Sequence, residues 1–245
     1  MALDVRTARA EIVRKIRADA KPDVSPKLRA YVGSPYPVLG LTTPQMRSIL
    51  REFRTHNRTL SASDLNALAR AMWSGPTFEE KVFAIALLDS YPKILNNASW
   101  NLADRWVDRA TGWALSDGLA SGPVAAMVYP QPGRYQEVLR WTKSDHFWRR
   151  RASTYAMHDF VLAGELDKPF RLLEKLLYDD EFWVQRAVGT WLRECWKQDR
   201  TRTEAFLRRH VRGLPRVVIT VATERATRQF REELRSSRAP GDASR

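Results

Sequence analysis

A single cysteine, Cys195, stands among the 245 residues, which rules out an internal disulfide. Histidine is almost as scarce, with four in the chain, and no His/Cys cluster has the spacing of zinc ligands. These absences lead to the expectation of a reducing compartment, no structural metal and no cofactor. No apolar run approaches the roughly 18 residues of a membrane span, and Met1-Ala-Leu-Asp-Val-Arg lacks the apolar stretch of a signal peptide. A soluble, cytoplasmic protein with no membrane partner is expected. Alternating polar and apolar residues, the mark of a half-buried strand, are also missing over any useful length. With 44% hydrophobic residues and 9 tryptophans, the chain can nevertheless bury a substantial core, which excludes wholesale disorder.

Charge of one sign is in excess. The 41 Lys+Arg against 28 Asp+Glu give a formal charge of +13. Polyanions are the natural partners of such a chain. Solvated helix faces rich in arginine would produce the same count, but here arginine is interleaved with tryptophan, the combination that meets phosphates and stacked bases together.

Periodicity organises the rest. Phe78, Trp113, Trp148 and Trp183 follow one another at intervals of 35 residues. Asp145-His-Phe-Trp-Arg-Arg-Arg-Ala152 and Asp180-Glu-Phe-Trp-Val-Gln-Arg-Ala187 share five of eight residues. A period of this length, filled by helical patterns, indicates two helices per repeat and an all-α solenoid of HEAT-like helical repeats. The tetratricopeptide period is close, but its Trp-Leu-Gly-Tyr pattern is missing. One domain is expected over residues 1–236, with a loose tail at 237–245 where Pro and Gly replace apolar periodicity. Long helices are predicted at about 112–129, 145–162 and 217–236, to within 2 to 4 residues. Ser61, Thr77, Asp145, Asp167 and Asp180 are candidate N-caps.

Stacked repeats align equivalent positions. Three residues after each aromatic come Lys81, Ser116, Arg151 and Arg186, a row that presents cations in three of four repeats, either to a phosphate backbone or to water on an outer face. Four residues after it come Val82, Asp117, Ala152 and Ala187. The carboxylate breaks the apolar rule of its own register. Trp113 and Asp117 share one helical face a turn apart. Together they suit a substrate whose positive charge grows during reaction, with the ring face and the carboxylate both stabilising it. The alternative is a core tryptophan followed by an aspartate that caps a helix starting at Gly118.

Several segments are similar, in order, to those of the HEAT-like alkylpurine DNA glycosylases of the AlkD type. Tyr31-Val-Gly-Ser-Pro-Tyr-Pro-Val-Leu-Gly-Leu-Thr-Thr-Pro-Gln-Met-Arg47 resembles the family's Tyr and Leu-Gly-x-x-Thr-Pro element. Trp113-x-x-x-Asp117 matches its catalytic Trp and Asp, Phe147-Trp-Arg-Arg-Arg151 ends in its DNA-contacting Arg, and Gly189-Thr-Trp-Leu-Arg-Glu194 resembles its Gly-Trp-x-Leu-Arg-Glu element. The resemblance runs from about Tyr31 to Glu194.

That resemblance implies a monofunctional glycosylase, with no metal in its chemistry, that acts as a monomer on double-stranded DNA containing cationic N3- or N7-alkylated purines, held in a concave basic groove. Asp117 would supply the countercharge and position water, Trp113 and Tyr31 would hold the sugar or base, and Arg151 would fix a phosphate. Lys81 and Arg186 extend the expected DNA contacts. One departure stands out: the family's second cleft Trp falls at Thr190 here, with Trp191 one place later. That offset turns a helical side chain by about 100°. Trp191 is therefore expected to face the core or a neighbouring helix, with Thr190 left lining a roomier cleft.

Overall fold

The computed structural model describes residues 2–238, which contain helices and turns and no strand. The expected loose tail falls mostly on residues 239–245, outside the described residues. Two compact units meet in sequence between Met127 and Val128.

The first unit contains α1 (Val5–Ala18), α2 (Ser25–Val32), α3 (Thr43–His56), α4 (Ala62–Trp73), α5 (Phe78–Asp89), α6 (Asn97–Val107) and α7 (Trp113–Leu119). A π turn over Ala120–Val124 and the short α8 (Ala125–Val128) follow. Capping explains several starts. Thr42 with Gln45 and Thr77 with Glu80 form capping boxes in which each side chain satisfies the other residue's backbone N–H. Ser61 caps α4 through the Asp64 N–H. The buried Glu80 carboxylate also accepts from Arg9 at 2.8 Å, while the Arg9 Nε donates to the Ala71 carbonyl, so one arginine ties α1 to α4 and α5.

The Leu-Gly-x-x-Thr-Pro element is a structural clamp. Gly40 has φ +88°, and a Cβ there would lie 2.5 Å from the Lys21 carbonyl oxygen. Its N–H and that of Leu39 donate to the buried Glu79 carboxylate at 2.9 and 3.0 Å. Thr42 then starts α3 with Pro44 in its first turn, where proline's missing N–H goes unneeded. Within the core, Trp73 and Trp106 stack at 4.5 Å.

The second unit contains α9 (Pro132–Trp141), α10 (Phe147–Tyr155), α11 (His158–Leu162), α12 (Asp167–Glu174), α13 (Phe182–Gln198), α14 (Arg200–His210), α15 (Arg216–Ala222) and α16 (Arg228–Ser236). Phe160 is buried against the rings of Tyr129 and Tyr135. Gly189 lets α13 close on α15: a Cβ there would sit 2.7 Å from the Val221 Cβ and 3.0 Å from the Val218 carbonyl oxygen.

The four repeat aromatics all lie in the first two positions of their helices, α5, α7, α10 and α13. Three of the predicted long helices are interrupted. The 112–129 segment contains the π turn, 145–162 is two helices parted at Ala156 and Met157, and 217–236 is two helices parted by residues 223–227. Three expected caps also move. His146 and Glu181, not Asp145 and Asp180, occupy the N-cap positions of α10 and α13. Their N–H groups are satisfied by the preceding Ser144 hydroxyl and Asp179 carboxylate. Asp167 is the first residue inside α12, where its charge faces the positive end of the helix.

Candidate active site

The expected Trp–Asp pair belongs to α7 of the first unit. The helix begins at Trp113, so Asp117 lies inside it and caps no helix starting at Gly118. Both side chains are half-buried, whereas the neighbouring Leu115 and Ser116 are buried. The face carrying Trp113 and Asp117 is therefore the accessible one. Ser116, at the register where other repeats place a cation, is enclosed, with no hydrogen-bond partner for its hydroxyl among the described residues.

Tyr31 comes to this face from α2. The residue is 69% exposed, and its ring meets the Trp113 indole edge-to-face, with centroids 5.2 Å apart and planes at 82°. The indole Nε1 donates to the Tyr31 carbonyl at 2.7 Å. Trp113 is thus held by the backbone of the residue whose ring stands beside it. Downstream, Pro123 breaks the regular helix and Gly122 adopts φ −95°, ψ −107°. The Ser121 hydroxyl donates to the Asp117 carbonyl at 2.7 Å within the π turn. Such turns bend a helix locally and recur at functional sites.

The cation row divides. Lys81 is only 5% exposed, and its ammonium donates to the Trp73 and Gly75 carbonyls at 2.9 and 2.8 Å while lying 4.1 Å from the Tyr36 ring centroid. Its burial lowers the ammonium pKa below the usual 10.5. The expected contact of Lys81 with a phosphate is therefore corrected: this lysine closes the α4–α5 turn. Arg151 is also only 5% exposed. It donates to the Trp183 carbonyl at 2.6 Å and the Tyr155 hydroxyl at 3.0 Å, with its guanidinium over both rings. Arg186 alone in the row is exposed, 5.8 Å from the Phe182 centroid.

Thr190 is half-buried on α13, and Trp191 is 5% exposed, edge-on to Tyr155 and His158. The one-residue offset thus directs the indole inward, as helical geometry required. Two residues that the sequence did not single out complete the first unit's site, Gly33 and Gly112. A glycine immediately before an aromatic that opens a helix was the available signal.

No membrane-length apolar helix and no group of three metal-ligating side chains occurs among the described residues. A family model described as DNA alkylation repair enzyme matches residues 12–226. No curated protein matches the sequence. Among solved structures, a predicted DNA alkylation repair enzyme from Enterococcus faecalis is similar with a TM-score of 0.74 at 16% identity, covering 86% of this chain and 98% of that one. AlkD2 from Streptococcus mutans gives 0.61 at 14% identity, covering 81% and 97%. The smu.31 protein of Streptococcus mutans UA159 gives 0.57 at 15% identity, covering 74% and 97%.

Proposed function

This chain belongs to the DNA alkylation repair enzyme family, and from that premise we propose that it is a monofunctional DNA glycosylase that releases cationic N3- or N7-alkylated purines from duplex DNA. The observation that carries this reading is the accessible α7 face, where a carboxylate stands one turn from an indole in a register otherwise filled by Val82, Ala152 and Ala187.

Alkylation at N3 or N7 places a positive charge on the purine and weakens its bond to the sugar. As the C1′–N9 bond breaks, its electron pair moves to the base, which leaves neutral, and positive charge passes to the sugar. A carboxylate beside the sugar favours that state over the ground state. In the proposed reaction Asp117 is this countercharge. It also positions the water whose oxygen bonds to C1′ and accepts the proton that the water loses. Trp113 and Tyr31 offer ring surfaces to the cationic base or developing sugar cation. With its Nε1 bonded to the Tyr31 carbonyl, Trp113 contributes its ring without a free indole donor. No cofactor enters this scheme.

Arg186 is the exposed cation of the row and the proposed phosphate contact of the second unit. Arg151 fits a supporting position beneath the Trp183 and Tyr155 rings. The side-chain volume missing at Thr190 motivates a further element of the proposal, acceptance of bulky adducts; an unchanged ratio of bulky to methyl adduct release in Thr190→Trp would remove it.

The decisive experiment is release of free base from duplex DNA containing 7-methylguanine. Asp117→Asn is expected to slow release by about 100-fold or more, the scale of losing one electrostatic group at a reacting centre, with melting temperature near that of the wild type. Equal release by both proteins would refute the role of Asp117. DNA binding without release by the wild type would instead favour a non-catalytic DNA-binding protein.

A further inference from the structure

Gly112 stands immediately before Trp113, with φ +89° and ψ 146°. A Cβ added there would lie 2.5 Å from the Val32 carbonyl oxygen, 2.6 Å from the Gly33 carbonyl oxygen and 2.9 Å from the Gly33 carbonyl carbon. All three atoms are backbone, so no side-chain rotation relieves the overlap. On the other side, Gly33 ends α2 in the left-handed conformation at φ +64°, its N–H bonded back into the last turn of that helix. A Cβ at Gly33 would come no closer than 3.6 Å to the Gly112 Cα. The close approach therefore depends on Gly112 in particular.

That approach adjoins the aromatic pair. Tyr31, two residues before Gly33, accepts the Trp113 indole N–H and sets its own ring against the indole. A second tie joins the same segments: the Tyr36 hydroxyl donates to the Arg109 carbonyl at 3.2 Å. The α2 end and the α6–α7 turn meet through backbone at one point and through Tyr36 at another, with the two functional rings projecting beyond.

We propose that Gly112 is a positioning residue for the glycosylase reaction, admitting the α2 backbone so that the Tyr31 carbonyl aims the Trp113 ring over the site that Asp117 borders. This inference rests on the function proposed above. Side chains larger than hydrogen at residue 112 must push α2 and the indole apart, and a shift of about 1 Å at a reacting site can lower a rate by about 100-fold.

The test compares Gly112→Ala with Gly164→Ala. Gly164 also has positive φ, at +73°, but a Cβ there meets nothing within 4 Å, so that variant reports backbone strain alone. Each protein is followed by thermal melting, by the Trp113 indole N–H resonance (assigned by its loss in Trp113→Phe), and by single-turnover release of 7-methylguanine at saturating DNA. Gly112→Ala is expected to move the indole resonance to a solvent-bonded position and slow release by about 100-fold, with DNA affinity little changed. Gly164→Ala should lower the melting temperature and leave resonance and release as in the wild type. A folded Gly112→Ala protein with an unmoved resonance overturns the proposal, as does a loss of release that simply follows melting temperature in both variants. Should Gly112→Ala not fold, Trp113→Phe carries the test by removing the indole donor without adding volume. Slower release at unchanged DNA affinity is then expected, and wild-type release overturns the proposal. If the wild type releases no base, the glycosylase reading fails, while the resonance still decides whether Gly112 aims the indole.

Discussion

Repeats two and three share a helix start and differ in what that start contains. In α7 the aromatic, Trp113, is half-buried, the residue three places on is the enclosed Ser116, and the next is the half-buried Asp117. In α10 the corresponding Trp148 is 7% exposed and touches Trp183 at 5.9 Å. There Arg151 is buried beneath Tyr155 and Trp183, and Ala152 is buried. One sequence register thus adopts two environments. Where packing closes over it, the aromatic and cation hold helices together; where α7 leaves it open, the same places can carry chemistry.

Exchanging the exceptional residue is expected to give the largest difference between the two repeats. Ala152→Asp puts an unpaired carboxylate where no water reaches it and is expected to destabilise the second unit by about 3–5 kcal/mol, the range for an uncompensated buried charge. Asp117→Ala, on the accessible face, should cost clearly less than that. Urea unfolding measures both, and similar values would erase the distinction between the repeats.

Within the cation row, Arg151→Ala is expected to lose about 2 kcal/mol through its hydrogen bonds to the Trp183 carbonyl and Tyr155 hydroxyl. Arg186→Ala should stay within about 0.5 kcal/mol of the wild type and reduce the salt dependence of DNA binding by about one phosphate contact. The reverse order would mean that the row is used differently from the way the burial pattern indicates.

Lys81 gives a smaller effect, read against pH. Because its ammonium is held below 10.5 in the folded chain, the unfolded chain binds more protons between the folded pKa and 10.5. This group's contribution makes stability rise with pH through that window. Lys81→Met should flatten that part of the urea-unfolding profile; an identical slope would show that the lysine titrates normally. Least perturbing of all is alkylation of Cys195, whose thiol is buried and pushed up to about 12 by desolvation. Iodoacetamide labelling should proceed only as fast as the chain unfolds, and rapid labelling of folded protein would show that the α13 core opens locally.

Much of the fold was legible because helix starts and repeat intervals are local signals. The 35-residue spacing found the starts of α5, α7, α10 and α13 to within one residue, and Thr77 revealed its cap. What remained hidden depended on contacts distant in sequence. Nothing near Asp179 announces that Arg150, 29 residues earlier, holds its carboxylate at 2.7 Å while the same carboxylate accepts the Glu181 N–H at the start of α13. Nothing near Lys81 announces that the Trp73 and Gly75 carbonyls claim its ammonium. The π turn after Asp117 had a local sign in Gly122-Pro123, which the apolar pattern around it masked.

Helical structure, repetition and the place of Asp117 among apolar counterparts follow from the residues in order along the chain. Helical periodicity and capping are written in neighbouring residues, and a repeat exposes its own exceptions. Long-range packing sets which cations are buried, that Trp113 opens its helix on an accessible face, and that its indole is bonded to the Tyr31 carbonyl. The last of these goes with Gly112 meeting the end of α2 some eighty residues earlier in the chain, and a contact of that kind has no periodicity to betray it.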